Sequence, residues 1–146
     1  MIYVGCDHGG FDLKETVIDY LEKNNIDFTD VGCYNKESVD YPDVAKEVCT
    51  AIIEGRADKG ILLCGTGIGI SIAANKFKGI RAAICSDTYC AKFSRLHNDA
   101  NVLCLGGRVL GPGLAREIID VFLTTDFEGK HHIDRLLKIQ KIENER

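Results

Sequence analysis

Gly60-Ile61-Leu62-Leu63-Cys64-Gly65-Thr66-Gly67-Ile68-Gly69 reads from left to right as a strand, a glycine-rich turn and the first residues of a helix. Gly60 to Cys64 is an unbroken apolar run, short for a helix and lacking the alternation of a strand with one wet face. A strand of that kind is covered on both sides, which implies a parallel sheet between two layers of helices. The glycines let the chain turn sharply, and the helix behind them is expected to run from Ile68 to about Lys76.

The same alternation extends outward in both directions. Upstream, Ile2 to Cys6 reads as a buried strand and Phe11 to Asn24 as a helix with Leu13, Val17, Ile18 and Leu21 on one face. Asp27 to Val31 reads as a second strand, Gly32 to Tyr41 as a polar loop, and Pro42 opens a helix through Ile53. Downstream, Arg81 to Cys85 is a fourth strand, and Asp87 caps a helix to about Leu96. Asn101 to Leu105 is a fifth strand, and Pro112 starts a helix reaching Leu123. The pattern predicts an α/β fold with a doubly wound, five-stranded parallel sheet, residues 1–146 forming one domain. A C-terminal helix from Ile133 onward is left over, and its apolar face needs a partner such as a second subunit.

Composition narrows the function. The net charge of −4 and the absence of a long basic run argue against nucleic acid or an anionic membrane as partner. No apolar stretch is long enough to span a bilayer and no signal-peptide pattern opens the chain, so a cytoplasmic location is expected. Seven cysteines is an odd number, and Cys6, Cys64, Cys85 and Cys104 sit in apolar runs, as small core residues of a reduced protein do. No CxxC pair accompanies His131 and His132, so a zinc site is not expected.

In a doubly wound sheet, ligands bind beyond the carboxyl ends of the strands. That edge receives Asp7-His8-Gly9-Gly10 after strand one, Gly65 to Gly69 after strand three, and Gly106-Gly107-Arg108 after strand five. Successive backbone N–H groups in a glycine turn, with a helix end behind them, make an oxyanion site. A cysteine beside it can act as nucleophile or as carbon-acid base. The stretch lacks the Gly-Lys-Ser/Thr ending of a P-loop, and no arginine follows as in a phosphatase loop, since Ile70 and Ser71 stand there. By position alone, a nucleotide-phosphate grip or a plain tight turn with a buried Cys64 stays open. Asp7 and His8 are either a helix cap with an exposed imidazole or an acceptor and titratable donor for a ligand. His97 precedes strand five, at the far end from Cys64, so it is a surface residue or serves a neighbouring subunit. Lys130, His131, His132 and Arg135 form a solvated face or a phosphate grip.

Six stretches in order carry a resemblance: Gly5-Cys6-Asp7-His8-Gly9-Gly10, Asp40-Tyr41-Pro42, Cys64 to Gly69, Ala73-Ala74-Asn75-Lys76, Gly79-Ile80-Arg81-Ala82 and His97-Asn98-Asp99-Ala100-Asn101. Together they resemble the type B ribose-5-phosphate isomerases, in the family that also holds galactose-6-phosphate isomerase subunits. The resemblance implies a Rossmann-like fold, a homodimer sharing its active sites between subunits, and a sugar-phosphate substrate, with no metal or organic cofactor; whether dimers pair into tetramers is left open. It implies that ribose 5-phosphate and ribulose 5-phosphate interconvert through a cis-enediolate, with Cys64 moving the proton between C1 and C2. The backbone of Gly65, Thr66, Gly67, Ile68 and Gly69 would hold the enediolate oxygen, and the Thr66 hydroxyl would help shuttle protons between O1 and O2. His97 matches the acid that opens the furanose ring; Asn98 and Arg108 match sugar or phosphate contacts, and Asp7 and His8 match substrate-binding positions.

The chain departs from the pattern at one place. Relatives commonly carry Gly-Gly-Arg-His-x-x-Arg, where both arginines grip phosphate, and here the stretch is Gly129-Lys130-His131-His132-Ile133-Asp134-Arg135. Arg135 keeps the second arginine, whereas His131 stands in place of the first. Lys130 offers a point charge rather than a bidentate fork. That leaves room for a hexose 6-phosphate of the galactose or allose type as an alternative substrate.

Overall fold

The computed structural model describes residues 1–146 and has the expected alternation of strands and helices. In chain order the elements are β1 (Ile2–Cys6), α1 (Phe11–Lys23), β2 (Phe28–Asp30), α2 (Tyr41–Ile53), β3 (Lys59–Cys64) and α3 (Ile68–Ala74). They continue with β4 (Ala82–Ile84), α4 (Thr88–Leu96), β5 (Val102–Gly106), α5 (Pro112–Thr124) and α6 (His132–Asn144). All strand pairs are parallel and the sheet order is β2-β1-β3-β5-β4. The last strand in sequence therefore lies inside the sheet, and β4 takes the edge.

Strand pleating explains why the central strands are apolar without alternation. Successive side chains point to opposite faces, and both faces are dry. In β3, Ile61 and Leu63 enter a core shared with α1, α4 and α5, while Leu62 and Cys64 enter a core shared with α2 and α3. In β5, Leu103 and Leu105 join the first core, Val102 and Cys104 the second. Each fully buried leucine or isoleucine contributes about 1.5–3 kcal/mol, so the two cores hold the sheet from both sides. The edge strands β2 and β4 are only half covered and are shorter than the apolar runs predict, because each is hydrogen-bonded on one side only.

Local chemistry sets the boundaries. Asp87 caps α4 as expected, its carboxylate accepting from the Cys90 N–H at 2.7 Å, a contact worth about 0.5–2 kcal/mol. Asp7 does not take the N-cap position of α1, which Gly10 occupies. Helix α3 stops at Ala74, two residues earlier than predicted, because the Asn75 side chain turns to β4. Its amide donates to the Ala82 carbonyl (3.0 Å) and its carbonyl accepts the Ala82 N–H (2.8 Å). In α6, only His132 is buried, while Ile133, Leu137, Ile139 and Ile142 lie exposed.

Candidate active site

Cys64 ends β3 and is 5% exposed. Its sulfur accepts a hydrogen bond from the Gly67 N–H at 3.1 Å, a geometry that stabilises negative charge on sulfur. The other buried thiols have different surroundings. Burial pushes Cys6 and Cys49 up to about 12 and Cys85 up to about 11, and holds Cys104 well above the ordinary thiol range. The Cys49 and Cys85 sulfurs point toward the Ala74 and Ala83 carbonyls, as donors. The Cys64 sulfur instead accepts, from a turn N–H.

Gly67 makes that bond with φ +81°, a left-handed conformation that only glycine adopts cheaply. The Thr66 hydroxyl oxygen accepts the Ile68 N–H at 3.1 Å and is otherwise exposed. Three strand-end turns close against one another by backbone contact. The Gly107 N–H donates to the Cys64 carbonyl (2.8 Å), and the Arg108 N–H to the Gly65 carbonyl (3.0 Å). A Cβ on Gly9 would meet the Gly65 nitrogen at 2.8 Å, and one on Gly107 would meet the Gly9 carbonyl oxygen at 2.5 Å. No side chain fits between the turns after β1, β3 and β5, so main chain forms a common floor there, in which the N–H groups of Gly65, Thr66 and Gly69 carry no bond within the chain.

Three predicted site residues and Tyr41 border this floor. The Asp7 carboxylate is buried and accepts the N–H groups of Gly9 (2.8 Å) and Gly10 (3.2 Å), bracing the turn. His8 accepts the Val39 N–H at Nδ1 (3.3 Å), which leaves Nε2 as the donor nitrogen of the neutral ring. Arg108 lies over Gly65, with its guanidinium 3.4 Å from where a Cβ would stand; it is exposed and forms no salt bridge within the chain. Tyr41, at the start of α2, packs over Gly69.

The remaining predicted residues gather elsewhere. His97 caps the C-terminus of α4, before β5, whereas Cys64 pairs with Gly106 at the other end of that strand. Four strand steps of about 3.3 Å alone put roughly 13 Å between the two levels. Around His97 the structure assembles a cluster that sequence reasoning did not pick out. Its ring stacks on His132 at 4.1 Å and 18°, and His131 lies 4.1 Å from His132. The Glu128 carboxylate lies 3.9 Å from Nε2 of both His97 and His132, and 3.2 Å from Lys130 Nζ. The Lys130 ammonium, with smaller contributions from His132 and His97, holds the Glu128 carboxyl below the usual carboxylate range. Burial, then the neighbouring His131 and His97, pushes His132 below the ordinary imidazole value.

Glu128 and the two histidines form the one group of potential metal ligands. Asn98, His131 and Arg135 are exposed on the same edge. Two arginines brace it from behind. Arg95 is buried and bonds Asp99, the Ala100 carbonyl and the Thr125 carbonyl, and Arg81 bonds the Asn98 and Asp99 carbonyls. One groove runs between α6 and Lys78 to Arg81, and a second beside it reaches Asn98.

The chemistry-bearing residues thus fall into a thiol with an anion floor at one edge and a histidine–arginine cluster at the other. Residues 2–139 match the sequence profile of the family described as Ribose/Galactose Isomerase. The chain belongs to that family. It is 48% identical over 145 residues to ribose-5-phosphate isomerase B of Escherichia coli, covering 99% of this chain and 97% of that protein. It is 47% identical over 146 residues to D-erythrulose-4-phosphate isomerase of Pectobacterium atrosepticum, covering 99% and 95%. The solved structure of Clostridium thermocellum ribose-5-phosphate isomerase B matches with a TM-score of 0.97 at 50% identity, covering 99% of this chain and 97% of that one. The isomerase class and the Rossmann-like parallel sheet expected from the six stretches both hold, and no helix is long and apolar enough to cross a membrane.

Proposed function

We propose that this isomerase interconverts ribose 5-phosphate and ribulose 5-phosphate, with Cys64 as the base that carries the proton between C1 and C2. The Gly67 N–H on the Cys64 sulfur, beside a floor of main chain at the strand ends, is the observation that supports it most. In the aldose-to-ketose direction, the thiolate removes the C2 proton. The C2 electron pair forms the C1=C2 bond, and the former carbonyl oxygen O1 takes the negative charge. Within the turn from Gly65 to Gly69, the N–H groups of Gly65, Thr66 and Gly69, which carry no bond within the chain, offset that charge as oxyanion donors do. The Thr66 hydroxyl relays a proton from O2 to O1, and the Cys64 thiol returns its proton to C1, leaving a carbonyl at C2. Every proton removed is replaced, and no external redox partner is required.

The second cluster then belongs to a neighbouring subunit's site. His97 and Asn98 reach across a homodimer to the partner's floor, His97 donating the proton that opens the furanose ring. His8 and Asp7 fix the sugar hydroxyls, and Arg108, His131 and Arg135 hold the phosphate. In this reading residues 1–146 act as one isomerase domain, cytoplasmic and independent of metal. Because His131 is a single donor where relatives commonly have a bidentate arginine, a hexose 6-phosphate is the second substrate to compare.

The deciding assay follows conversion of ribose 5-phosphate by wild type and by Cys64→Ala. Loss of the base should lower kcat by about 100- to 10,000-fold while substrate binding persists. A variant within a few-fold of wild type excludes Cys64 as base. Comparing kcat/KM for four-, five- and six-carbon sugar phosphates fixes the substrate, and a preference for six carbons would overturn the pentose assignment.

A further inference from the structure

Cys6 and Cys33 are taken up by neither cluster, yet their sulfurs lie 3.5 Å apart. Cys6 ends β1 and is fully buried; Cys33 lies three residues beyond β2 and is 7% exposed. Their backbones are tied in both directions, with the Cys6 N–H donating to the Gly32 carbonyl (2.6 Å) and the Cys33 N–H to the Cys6 carbonyl (2.8 Å). No other two cysteine sulfurs of the chain are hydrogen-bonded to each other. The Lys14 ammonium donates to the Cys33 carbonyl and to the Asp30 carboxylate, which puts a positive charge beside the pair. A disulfide needs its sulfurs about 2.05 Å apart, so closure asks for an approach of about 1.5 Å between side chains on a backbone already in register.

We infer that Cys6 and Cys33 form an oxidisable dithiol that a hydroperoxide closes to an intrachain disulfide. Cys33 is the more accessible sulfur and reacts first. Its thiolate attacks one peroxide oxygen, the O–O bond breaks, and the departing hydroxide takes a proton to leave as water. Cys33 is then a sulfenic acid. The Cys6 sulfur attacks it, the S–O bond breaks, the S–S bond forms, and the hydroxide leaves with the Cys6 proton as a second water. Two electrons pass from the sulfur pair to the peroxide, so two thiols and one hydroperoxide give a disulfide and two oxygen-reduced products. Burial of Cys6, whose thiol is pushed up to about 12, makes it the slower, resolving partner. Such pairs in reducing compartments close transiently rather than permanently.

The bridge would stand at the root of the segment that carries Val39 against His8, and directly before Asp7. The linkage itself does not depend on the isomerase assignment, and its test uses mass alone. The folded protein is treated with graded hydrogen peroxide, alkylated, and digested with trypsin without reduction. Cys6 falls in the peptide of residues 1–14 and Cys33 in that of residues 24–36, so the expected product is those two peptides joined, two hydrogens lighter than their sum, and separated again by dithiothreitol. Cys33→Ser should yield no joined peptide, and circular dichroism should show it folded. Recovery of the two peptides separately alkylated, at peroxide doses that fully oxidise the exposed Cys90, would overturn the inference. So would linkage that forms only in denaturant, because native geometry would then play no part.

Discussion

Replacing Gly67 with alanine tests the cradle and the fold in one molecule, with effects that separate. Gly67 has φ +81°, and an added Cβ would lie 3.0 Å from the Leu105 carbonyl carbon and 3.2 Å from the Gly106 nitrogen. An L-residue in the left-handed region costs about 1–2 kcal/mol. Crowding against β5 backbone, which cannot swing aside, adds a further 1–3 kcal/mol or so. The expected loss of about 2–5 kcal/mol lowers Tm by roughly 5–20 °C for a chain of this size. Activity should suffer independently, because the strained turn shifts the N–H away from the Cys64 sulfur. A hydrogen bond to a charged group is worth about 1.5–3 kcal/mol, or roughly a 10- to 150-fold loss in kcat/KM. Gly55 supplies the control: it has φ +77° with nothing within 4 Å of a Cβ, and it follows α2, away from the floor. Gly55→Ala should pay only the conformational strain and keep its kcat/KM. Thermal unfolding and steady-state kinetics on both variants, at a temperature where both are folded, measure the two effects. If Gly67→Ala keeps kcat/KM within two-fold of Gly55→Ala, the Gly67 N–H does not support the Cys64 thiolate.

Two further outcomes concern the histidine cluster. Because the folded protein holds His132 below its ordinary value of 6.5, the unfolded chain takes up that proton first as pH falls, so stability is full above about 6.5 and drains away toward the lower folded value. His132→Gln should flatten the fall in Tm between about pH 7 and pH 5, and an unchanged slope would assign the acid sensitivity elsewhere. Glu128→Gln keeps the shape of the residue but removes the charge shared by His97, His132 and Lys130. Its contacts lie at the surface and are screened by solvent, so stability should barely move while turnover of a furanose substrate falls more than that of an open-chain sugar; equal losses would separate Glu128 from ring opening.

What the sequence disclosed, and what it withheld, follows from how far each interaction reaches. Elements were legible because β1, β3 and β5 are covered on both faces and so apolar over most of their length, and because Pro42, Asp87 and Pro112 mark helix starts. The order of β5 and β4 was not legible: a buried strand looks the same in sequence wherever it lies in the interior. Cys64 was visible through its glycine neighbours, all within five residues. Glu128 was not, since its partners are 31 residues back at His97 and one turn forward at His132, and a lone glutamate before Gly129 carries no local signal. Cys33 was hidden likewise, in a polar segment whose contact with Cys6 exists only once β1 and β2 are side by side. The resemblance stretches also divide in the structure. Asn75, Arg81 and Asn101 fasten backbone around β4, Asn101 through the Gly79 carbonyl and the Arg81 N–H, whereas Cys64 to Gly69 and Asp7 to Gly10 border the floor.

That floor is made of main chain, with turns so close that no Cβ fits between them. A surface of this kind has no side-chain vocabulary: mutation at its glycines can damage it but can scarcely re-tune it. Selectivity must then be written on the rim, by residues such as His8 and Arg108, which stand outside the main-chain floor. Redesigning the enzyme for a longer or shorter sugar is therefore a problem of perimeter, with the chemistry carried along unchanged.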